Sequence, residues 1–425
     1  MSQIDRVLTQ LLQDGKRDSR GFFTIDFRKA REKLQKFQLT DPHLYVAHVV
    51  ASAVAGGATR VDVYVDADDC ILTYDGATGT TAELEELFSH LLTTQGSARF
   101  RELAIALNAA LALRPQKVEF LTWDGRQGAR VDLSASHMRV SALDASPGFE
   151  GNRLHVRERI SWKVVGKFLG KHVGRTPEFQ ILTERCAYAP IVLNRKRLTR
   201  DIRLMGALVV HSCGLECETD APVARSGEGD FQAVLGLLTD QFGDRPGLRL
   251  EVLQHRVAGN PVEDTAYPYV VRGVLDHPGL AKNVSQSDWV HDERYKAMMI
   301  CVRARVRDML AELAEAYPEL SGSQQERAML LLRSACAHEV RAAEYSPRWH
   351  RLKQSLIDAP IWPDHQGQAT PLRPFLEQYR VTGRLPVTWT RWEVSLPNAR
   401  VLLLDPESDL VGKMFPRMEN ADDLL

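Results

Sequence analysis

The sequence predicts an α+β protein whose first part is an antiparallel or mixed sheet with helices on one face. Three observations support this fold class. Strands with alternating apolar residues lie between helical segments in residues 41–160. A second strand-rich region follows near residue 180 and leads into a long amphipathic helix at residues 292–317. Residues 323–425 mix helix and strand patterns, which predicts a small C-terminal α/β unit.

The first unit is expected to contain helices before, between and after its strands. Residues 24–39 have apolar side chains at helical spacing, and a second helix is predicted after the N-cap Asp41 and Pro42, ending at Gly56 and Gly57. Residues 60–74 alternate as two strands around a turn at 66–69. Residues 83–92 and 100–113 predict two further helices, 117–135 a hairpin with an Asp124–Gly125 turn, and 152–160 a strand.

The second unit is expected to begin with strands in residues 185–212. Residues 233–243 predict a short helix, whereas 248–260 and 266–276 predict strands. The helix at 292–317 has one apolar stripe, which predicts a core face packed on its own sheet; a methionine-rich partner surface is the alternative. Its members are Tyr295, Met298, Met299, Val302, Val306, Met309, Leu310 and Leu313. A linker is predicted at 321–325.

Composition excludes several classes of function. The 425 residues have a formal net charge of −1, which gives no overall attraction to nucleic acid or to an anionic membrane. No apolar run approaches the ~20 residues of a membrane span. Six scattered cysteines and an amino terminus without an apolar core are typical of the reducing cytoplasm. His211, Cys213 and Cys217 lie close in sequence, but a zinc site would need a fourth ligand, so ordinary thiols near a strand are the simpler interpretation.

One stretch resembles a known superfamily. A helix, the segment "GGATRVDV", a strand and the loop "DGATG" follow the layout of the GHKL ATPases. The resemblance implies a GHKL-type α/β sandwich over residues 1–170, in which Asp75 would bind the adenine amino group and Gly79 would line the pocket. His48 falls at the position of the family's catalytic glutamate, and Ser52 at that of its Mg²⁺-binding asparagine. Each of these residues also has a simpler interpretation. His48 could be an unexceptional helix histidine, Ser52 a small residue that packs a tight helix, and Asp75 an aspartate that starts a turn.

The phosphate-binding positions differ further from the family pattern. "RELAIAL" aligns with a glycine-rich box and puts Arg101 at its first glycine, where the side chain could pair with phosphate or be a solvated helix residue. Asn152 replaces a threonine on a later strand and could hydrogen-bond near the base.

A second stretch, "RGVLDHPGLAKNVSQ", resembles the middle domain of the heat-shock-protein-90 chaperones, and a long helix follows it in both. This implies a ribosomal-protein-S5-like α/β region over residues 171–322, before the unit at 323–425. Gln286 falls where the chaperones have an arginine that contacts the γ-phosphate. Lys282 lies nearby and could contact that phosphate instead.

These substitutions change the base, the metal ligand and the γ-phosphate cation together. We therefore expect a chaperone-like scaffold that binds other proteins, with little or no ATP hydrolysis. ATP or ADP with Mg²⁺ is a possible ligand, and no nucleotide at all is the other possibility. Two alternatives stay open: an active ATPase that uses His48 as base and Ser52 on Mg²⁺, and a partner-binding subunit with a collapsed pocket.

Overall fold

A computed structural model shows a mixed α+β protein, as predicted. The structure describes residues 41–91, 96–134, 137–159, 176–225, 230–238, 245–283, 285–286, 288–341, 346–384, 387–388 and 401–403. The helix predicted at 24–39 lies outside these residues, and so does the acidic end of the chain.

The first sheet has eight strands in the order β5-β4-β3-β6-β2-β1-β7-β8. All neighbours are antiparallel except β1 and β7, which pair in parallel, so the sheet is mixed. The predicted hairpin is present, since β3 and β4 pair in antiparallel orientation. In the turn between them, Asp124 accepts hydrogen bonds from the amides of Arg126 and Gln127. The bounds are β1 Val61–Val65, β2 Asp69–Tyr74, β3 Lys117–Trp123, β4 Gly128–Leu133, β5 Met138–Leu143, β6 Gly151–Arg157, β7 Ile191–Leu193 and β8 Lys196–Arg197.

Within the described residues, four α-helices accompany this sheet. Asp41 is the N-cap, as predicted, and accepts a hydrogen bond from the amide of His43, but the first turn is a 3-10 turn, Pro42–Leu44. Helix α1 follows and ends at Gly56. The helix predicted for 83–92 is one short helix followed by a 3-10 turn, Leu87–Leu91. The bounds are α1 Tyr45–Ala55, α2 Thr81–Glu85, α3 Ala98–Ala112 and α4 Pro177–Arg185.

The core of the first unit lies between the sheet and the packed pair α1 and α3. Alternate residues of β1 face this core, whereas Tyr64 points the other way and is exposed. Residues beyond 170, the predicted end of this domain, also belong to it. Ile191 of β7 pairs with Val61, and Leu182 of α4 is fully buried in the same core.

The second sheet has the order β12-β10-β13-β17-β14-β15, and β16 pairs with residues 248–250 of β14, whereas β15 pairs with residues 253–254. Strands β9 and β11 form a separate two-stranded ladder. The bounds are β9 Ile202–Arg203, β10 Ala207–Cys213, β11 Cys217–Glu218, β12 Val223–Arg225, β13 Gln232–Leu238, β14 Gly247–Gln254, β15 Val257–Ala258, β16 Val262–Asp264 and β17 Val270–Asp276.

The short helix predicted for residues 233–243 is wrong over its described part, because residues 232–238 form the central strand β13. Ala233, Val234, Leu235 and Leu237 are all buried, on both faces of the sheet. A strand buried on both faces has a continuous apolar run, which periodicity alone does not distinguish from a buried helix.

Helices α5 to α8 pack with the second sheet into one core. The methionine-rich stripe of α5 is buried apart from the half-buried Tyr295, which confirms the core-face interpretation. Residues 322–325, expected in a linker, form the first turn of α6. The side chains of Leu332, Leu356 and Phe375 are buried in the same core as α5. The bounds are α5 Glu293–Ala316, α6 Gly322–Arg341, α7 Pro347–Asp358, α8 Arg373–Thr382, β18 Trp362–Pro363, β19 Ala369–Thr370, β20 Val387–Thr388 and β21 Leu402–Leu403.

Gly273 on β17 has no room for a side chain. A Cβ atom there would lie 2.5 Å from the carbonyl oxygen of Val234 and 2.6 Å from Cδ2 of Leu235. Gly273→Ala should therefore lower the free energy of unfolding by about 1–3 kcal/mol, the usual cost of overpacking. Gly322→Ala is the matched control, since no atom lies within 4 Å of its Cβ position. Urea unfolding of both variants measures this, and equal stabilities would contradict the packing described for β17.

Candidate functional site

His48 and Glu102 form a buried pair between α1 and α3. Their exposed fractions are 5% and 3%, and His48 Nδ1 lies 2.7 Å from a carboxylate oxygen of Glu102. Burial raises the pKa of Glu102, but the hydrogen bond and charge of His48, with the charges of Lys282 and Arg101, lower it to about 2. A carboxylate on Nδ1 orients an imidazole and leaves Nε2 for proton transfer. The pair thus has the parts of a general base.

Ser52 lies one turn after His48 on α1 and is fully buried. Its hydroxyl donates to the carbonyl oxygen of Arg99 at 2.9 Å. Burial raises the pKa of Tyr74, and a hydrogen bond with Ser52 opposes that rise. The hydroxyl predicted to bind Mg²⁺ is therefore bonded to α3 and β2.

Asp75 closes the start of β1 onto the end of β2. Its exposed carboxylate accepts hydrogen bonds from the amides of Thr59 and Arg60, at 2.8 and 2.9 Å, and from the Thr59 hydroxyl. Partial burial raises the pKa of Asp75, but these bonds lower it below its usual value. The next residue, Gly76, has φ of 93° and lies against the backbone of Ala58. The carboxylate predicted to bind adenine thus anchors a turn.

The remaining loop residues are also held by backbone and side-chain bonds. The Ala77 amide donates to the carbonyl oxygen of Gly56 at 2.9 Å, and the Asn152 side chain donates to that of Ala77 at 3.1 Å. The Gly79 amide donates to the Thr122 hydroxyl at 3.1 Å. The side chains of Asn152 and Thr122 therefore hold the backbone of the loop 75–79.

Arg99 is a site residue that the sequence analysis missed. Its guanidinium donates to the carbonyl oxygen of Thr78 at 2.9 Å and lies 4.1 Å from the ring centre of Phe100. A Cβ atom on Gly56 would lie 2.9 Å from Arg99 Cδ. The side chain thus fills the space between the end of α1 and the loop 75–79. Gly56 leaves space for this side chain because it has no Cβ atom. It is the one feature of the sequence that could have indicated the position of Arg99, but a glycine there equally indicates the end of a helix.

Arg101 and the rest of the predicted phosphate box lie in α3. Arg101 is partly exposed, and its guanidinium lies 3.7 Å from Glu102. Ala104 and Ala106 are fully buried within the helix. Amides at these helical positions bond to the carbonyls one turn earlier, so they do not form an open loop around phosphate.

Of the two predicted γ-phosphate residues, Lys282 lies near the pair and Gln286 is held in a turn. Burial lowers the pKa of the half-buried Lys282, and the charge of Glu102 raises it in opposition. Lys282 Nζ also lies 5.2 Å from the ring centre of Trp289. Gln286 has φ of 55°, and its amide and side chain both donate to the carbonyl oxygen of Asn283.

The residues considered as a zinc site have other roles. His211 Nε2 lies 2.8 Å from a carboxylate oxygen of Glu312, and the Cys213 thiol donates to the carbonyl oxygen of Phe231. In the described part of the chain, the side-chain groups with metal-ligand spacing do not include His211, Cys213 or Cys217.

Comparison with models of known protein families finds no match, and comparison with curated proteins finds none either. Among the described residues, no helix combines the length and the apolar character needed to cross a membrane.

Glu102→Gln should destabilise the protein by about 1–3 kcal/mol at neutral pH, because it removes a buried charged partner of His48. The folded-state pKa of Glu102 is depressed, so its contribution is present above the unfolded-state value of about 4.3 and is lost as pH falls toward about 2. The stability difference from wild type should therefore shrink between about pH 5 and pH 2.

Denaturant unfolding across this pH range measures the difference. Glu86→Gln is the control, since Glu86 is exposed. A difference that does not change with pH would contradict a depressed pKa for Glu102.

Proposed function

We propose that this protein is a chaperone-like scaffold, similar to the N-terminal and middle domains of the heat-shock-protein-90 chaperones, that binds other proteins and hydrolyses little or no ATP. Its first unit would be a GHKL-type α/β sandwich, and its second unit would be an α/β region like that of ribosomal protein S5. The proposal rests on one observation: the groups at the nucleotide positions are bonded to the protein itself.

Those bonds oppose nucleotide binding in the described conformation. A ligand that used Ser52, Asp75 and Asn152 would have to replace their bonds to Arg99, to Thr59 and Arg60, and to Ala77. Each such bond is worth about 0.5–1.5 kcal/mol net, and more where a charged group takes part. Arg99 would also have to leave the loop 75–79. Any nucleotide affinity should therefore be weak.

The chemistry of turnover is changed as well. The family's glutamate, asparagine and arginine correspond here to His48, Ser52 and Gln286. Groups of this kind contribute on the order of 10²–10⁴ each to rate, so their joint replacement supports very slow hydrolysis.

A surface on the second region supports protein binding. A cavity of about 500 Å³ lies between residues 200–205 and strands β13, β14 and β17. Its walls combine apolar residues such as Leu204 and Val274 with four arginines and two carboxylates, and Met205 at its edge is 54% exposed. The charged residues are Arg200, Arg203, Arg249, Arg272, Asp201 and Glu251, so the positive charges outnumber the negative ones. An open cavity with this lining suits an apolar and acidic segment of another protein.

A second candidate function is ATP hydrolysis with the buried pair as base. The observation that favours it is the 2.7 Å contact of Glu102 with His48 Nδ1, which orients the imidazole. Lys282 would then supply the cation.

The two candidates give different results with purified protein, ATP and Mg²⁺. We expect calorimetry to give a dissociation constant on the order of 1 mM or weaker, equivalent to a binding free energy of about −4 kcal/mol or less negative. Phosphate release should stay at background. Arg99→Ala should strengthen binding, because it vacates the loop 75–79, whereas Arg114→Ala, at an exposed residue after α3, is the control. Turnover that His48→Ala and Glu102→Gln both abolish, in variants with wild-type circular dichroism, would overturn the scaffold proposal in favour of the ATPase.

Protein binding can be measured as suppression of aggregation of a thermally unfolded model client. Met205→Asp should raise the concentration of protein required by about tenfold, because it puts a carboxylate on the apolar edge of the cavity. Val381→Asp is the control, because it also replaces an exposed apolar residue with aspartate. Val381 is 86% exposed and distant in sequence from the cavity. Equal effects of the two substitutions would show that the cavity does not bind the client.

A further inference from the structure

Three potential metal ligands converge where α1, β6 and α4 meet. His43 lies in the 3-10 turn before α1, Glu158 directly follows β6, and Glu178 lies in the first turn of α4. One ligand atom from each side chain lies within 4.8 Å of the other two. These residues have no part in the function proposed above.

The backbone positions of all three residues are fixed. The His43 amide donates to Asp41 at 2.9 Å, and the Glu158 amide donates to the carbonyl oxygen of Asp68 at 2.7 Å. Thr176 caps α4 and accepts a hydrogen bond from the amide of Phe179, next to Glu178. A metal could therefore bind with little rearrangement of the main chain, which favours affinity.

Two of the three ligand atoms already share one proton. Glu178 is only 4% exposed, and its carboxylate lies 2.6 Å from His43 Nδ1. A contact this short between an imidazole nitrogen and a carboxylate oxygen holds one proton, which a metal ion bound by the same two atoms would displace.

The neighbouring turn holds a second group of three carboxylates, Asp66, Asp68 and Asp69. Asp66 accepts hydrogen bonds from two backbone amides, while Asp68 and Asp69 lie within ion-pair distance of Arg157, and His155 also contacts Asp69. The three residues of this group offer carboxylate oxygens only, so it serves as a comparison for the group that contains a histidine.

We propose that His43, Glu158 and Glu178 bind one divalent transition-metal ion. One imidazole nitrogen with two carboxylates suits Mn²⁺, Fe²⁺, Co²⁺ or Zn²⁺, whereas Mg²⁺ and Ca²⁺ prefer oxygen ligands alone. Metal–ligand bonds of about 2.0–2.2 Å put ligand atoms about 3–4 Å apart. The three ligand atoms lie within 4.8 Å of one another, and the 2.6 Å contact of His43 with Glu178 would have to widen to admit the ion. The ion replaces the proton between His43 and Glu178, and that proton is released to solvent.

Such an ion would link chain segments that are distant in sequence. Glu158 and Glu178 stand on the two sides of residues 159–177, and His43 belongs to the turn that starts α1. Because the ion binds the folded arrangement of all three segments, it should raise the temperature of unfolding.

The test uses the full chain after treatment with a chelator and dialysis. Calorimetry with Zn²⁺, Mn²⁺ and Co²⁺ should give one ion per chain and at least tenfold tighter binding than Mg²⁺ or Ca²⁺. Co²⁺ should give visible absorption bands that depend on His43. His43→Ala, Glu158→Gln and Glu178→Gln should each weaken Zn²⁺ binding by about 10–100-fold and remove the metal-dependent rise in unfolding temperature, whereas Asp68→Asn should leave both unchanged.

Two results would overturn the proposal: binding that persists unchanged in His43→Ala and Glu158→Gln, or a loss that Asp68→Asn produces equally. If Glu178→Gln fails to fold, the other two variants decide the outcome, since both residues are only half-buried. Nucleotide binding and client binding are measured separately, so failure of the metal proposal leaves the proposed function untouched.

Discussion

The buried contact between α1 and α3 determines how the first unit is arranged. Two polar links cross it, from His48 to Glu102 and from Ser52 to the carbonyl oxygen of Arg99. Neither end of the His48–Glu102 pair is exposed to solvent, so separating the helices would leave an ionised carboxylate without its partner in a low-dielectric interior. This cost fixes the position of α3 along α1. It also fixes Arg99, at the start of α3, against the loop 75–79.

The closed state of the predicted nucleotide positions follows from this contact. Since Ser52 holds the first turn of α3, its hydroxyl cannot also face an open pocket. Since Arg99 bonds to Thr78, the loop after β2 lies against the end of α1. Lys282, which follows β17, lies within electrostatic range of Glu102, because the charge of each affects the pKa of the other. A residue predicted to contact phosphate thus acts on the buried pair through its charge.

The sequence predicted those elements whose signals are local. Asp41 and Pro42 marked the start of the α1 region, and the stripe of α5 marked a core face, because caps and helical periodicity act within a few residues. The strand β13 was predicted as a helix, since burial on both faces removes the alternation that identifies a strand. The start of α6 was predicted as a linker, although Ala328 and Leu332 pack it onto α5 and α7. Polar residues at the start of a helix resemble those of a loop, and only tertiary packing separates the two.

The candidate site was less predictable than the fold, because its bonds join residues distant in sequence. His48 and Ser52 were identified by position, but their partners Glu102 and Arg99 lie about fifty residues away and follow no motif spacing. The partner changes the chemical meaning of each residue: a histidine beside a buried carboxylate is an ion-pair member or a base, and a serine bonded to a helix carbonyl is a structural link. The same reasoning separates two buried glutamates. Glu102 lies among cationic groups from three segments, whereas further carboxylates surround the histidine that contacts Glu178. The two pairs therefore differ in the charges around them, although each consists of a histidine and a buried glutamate.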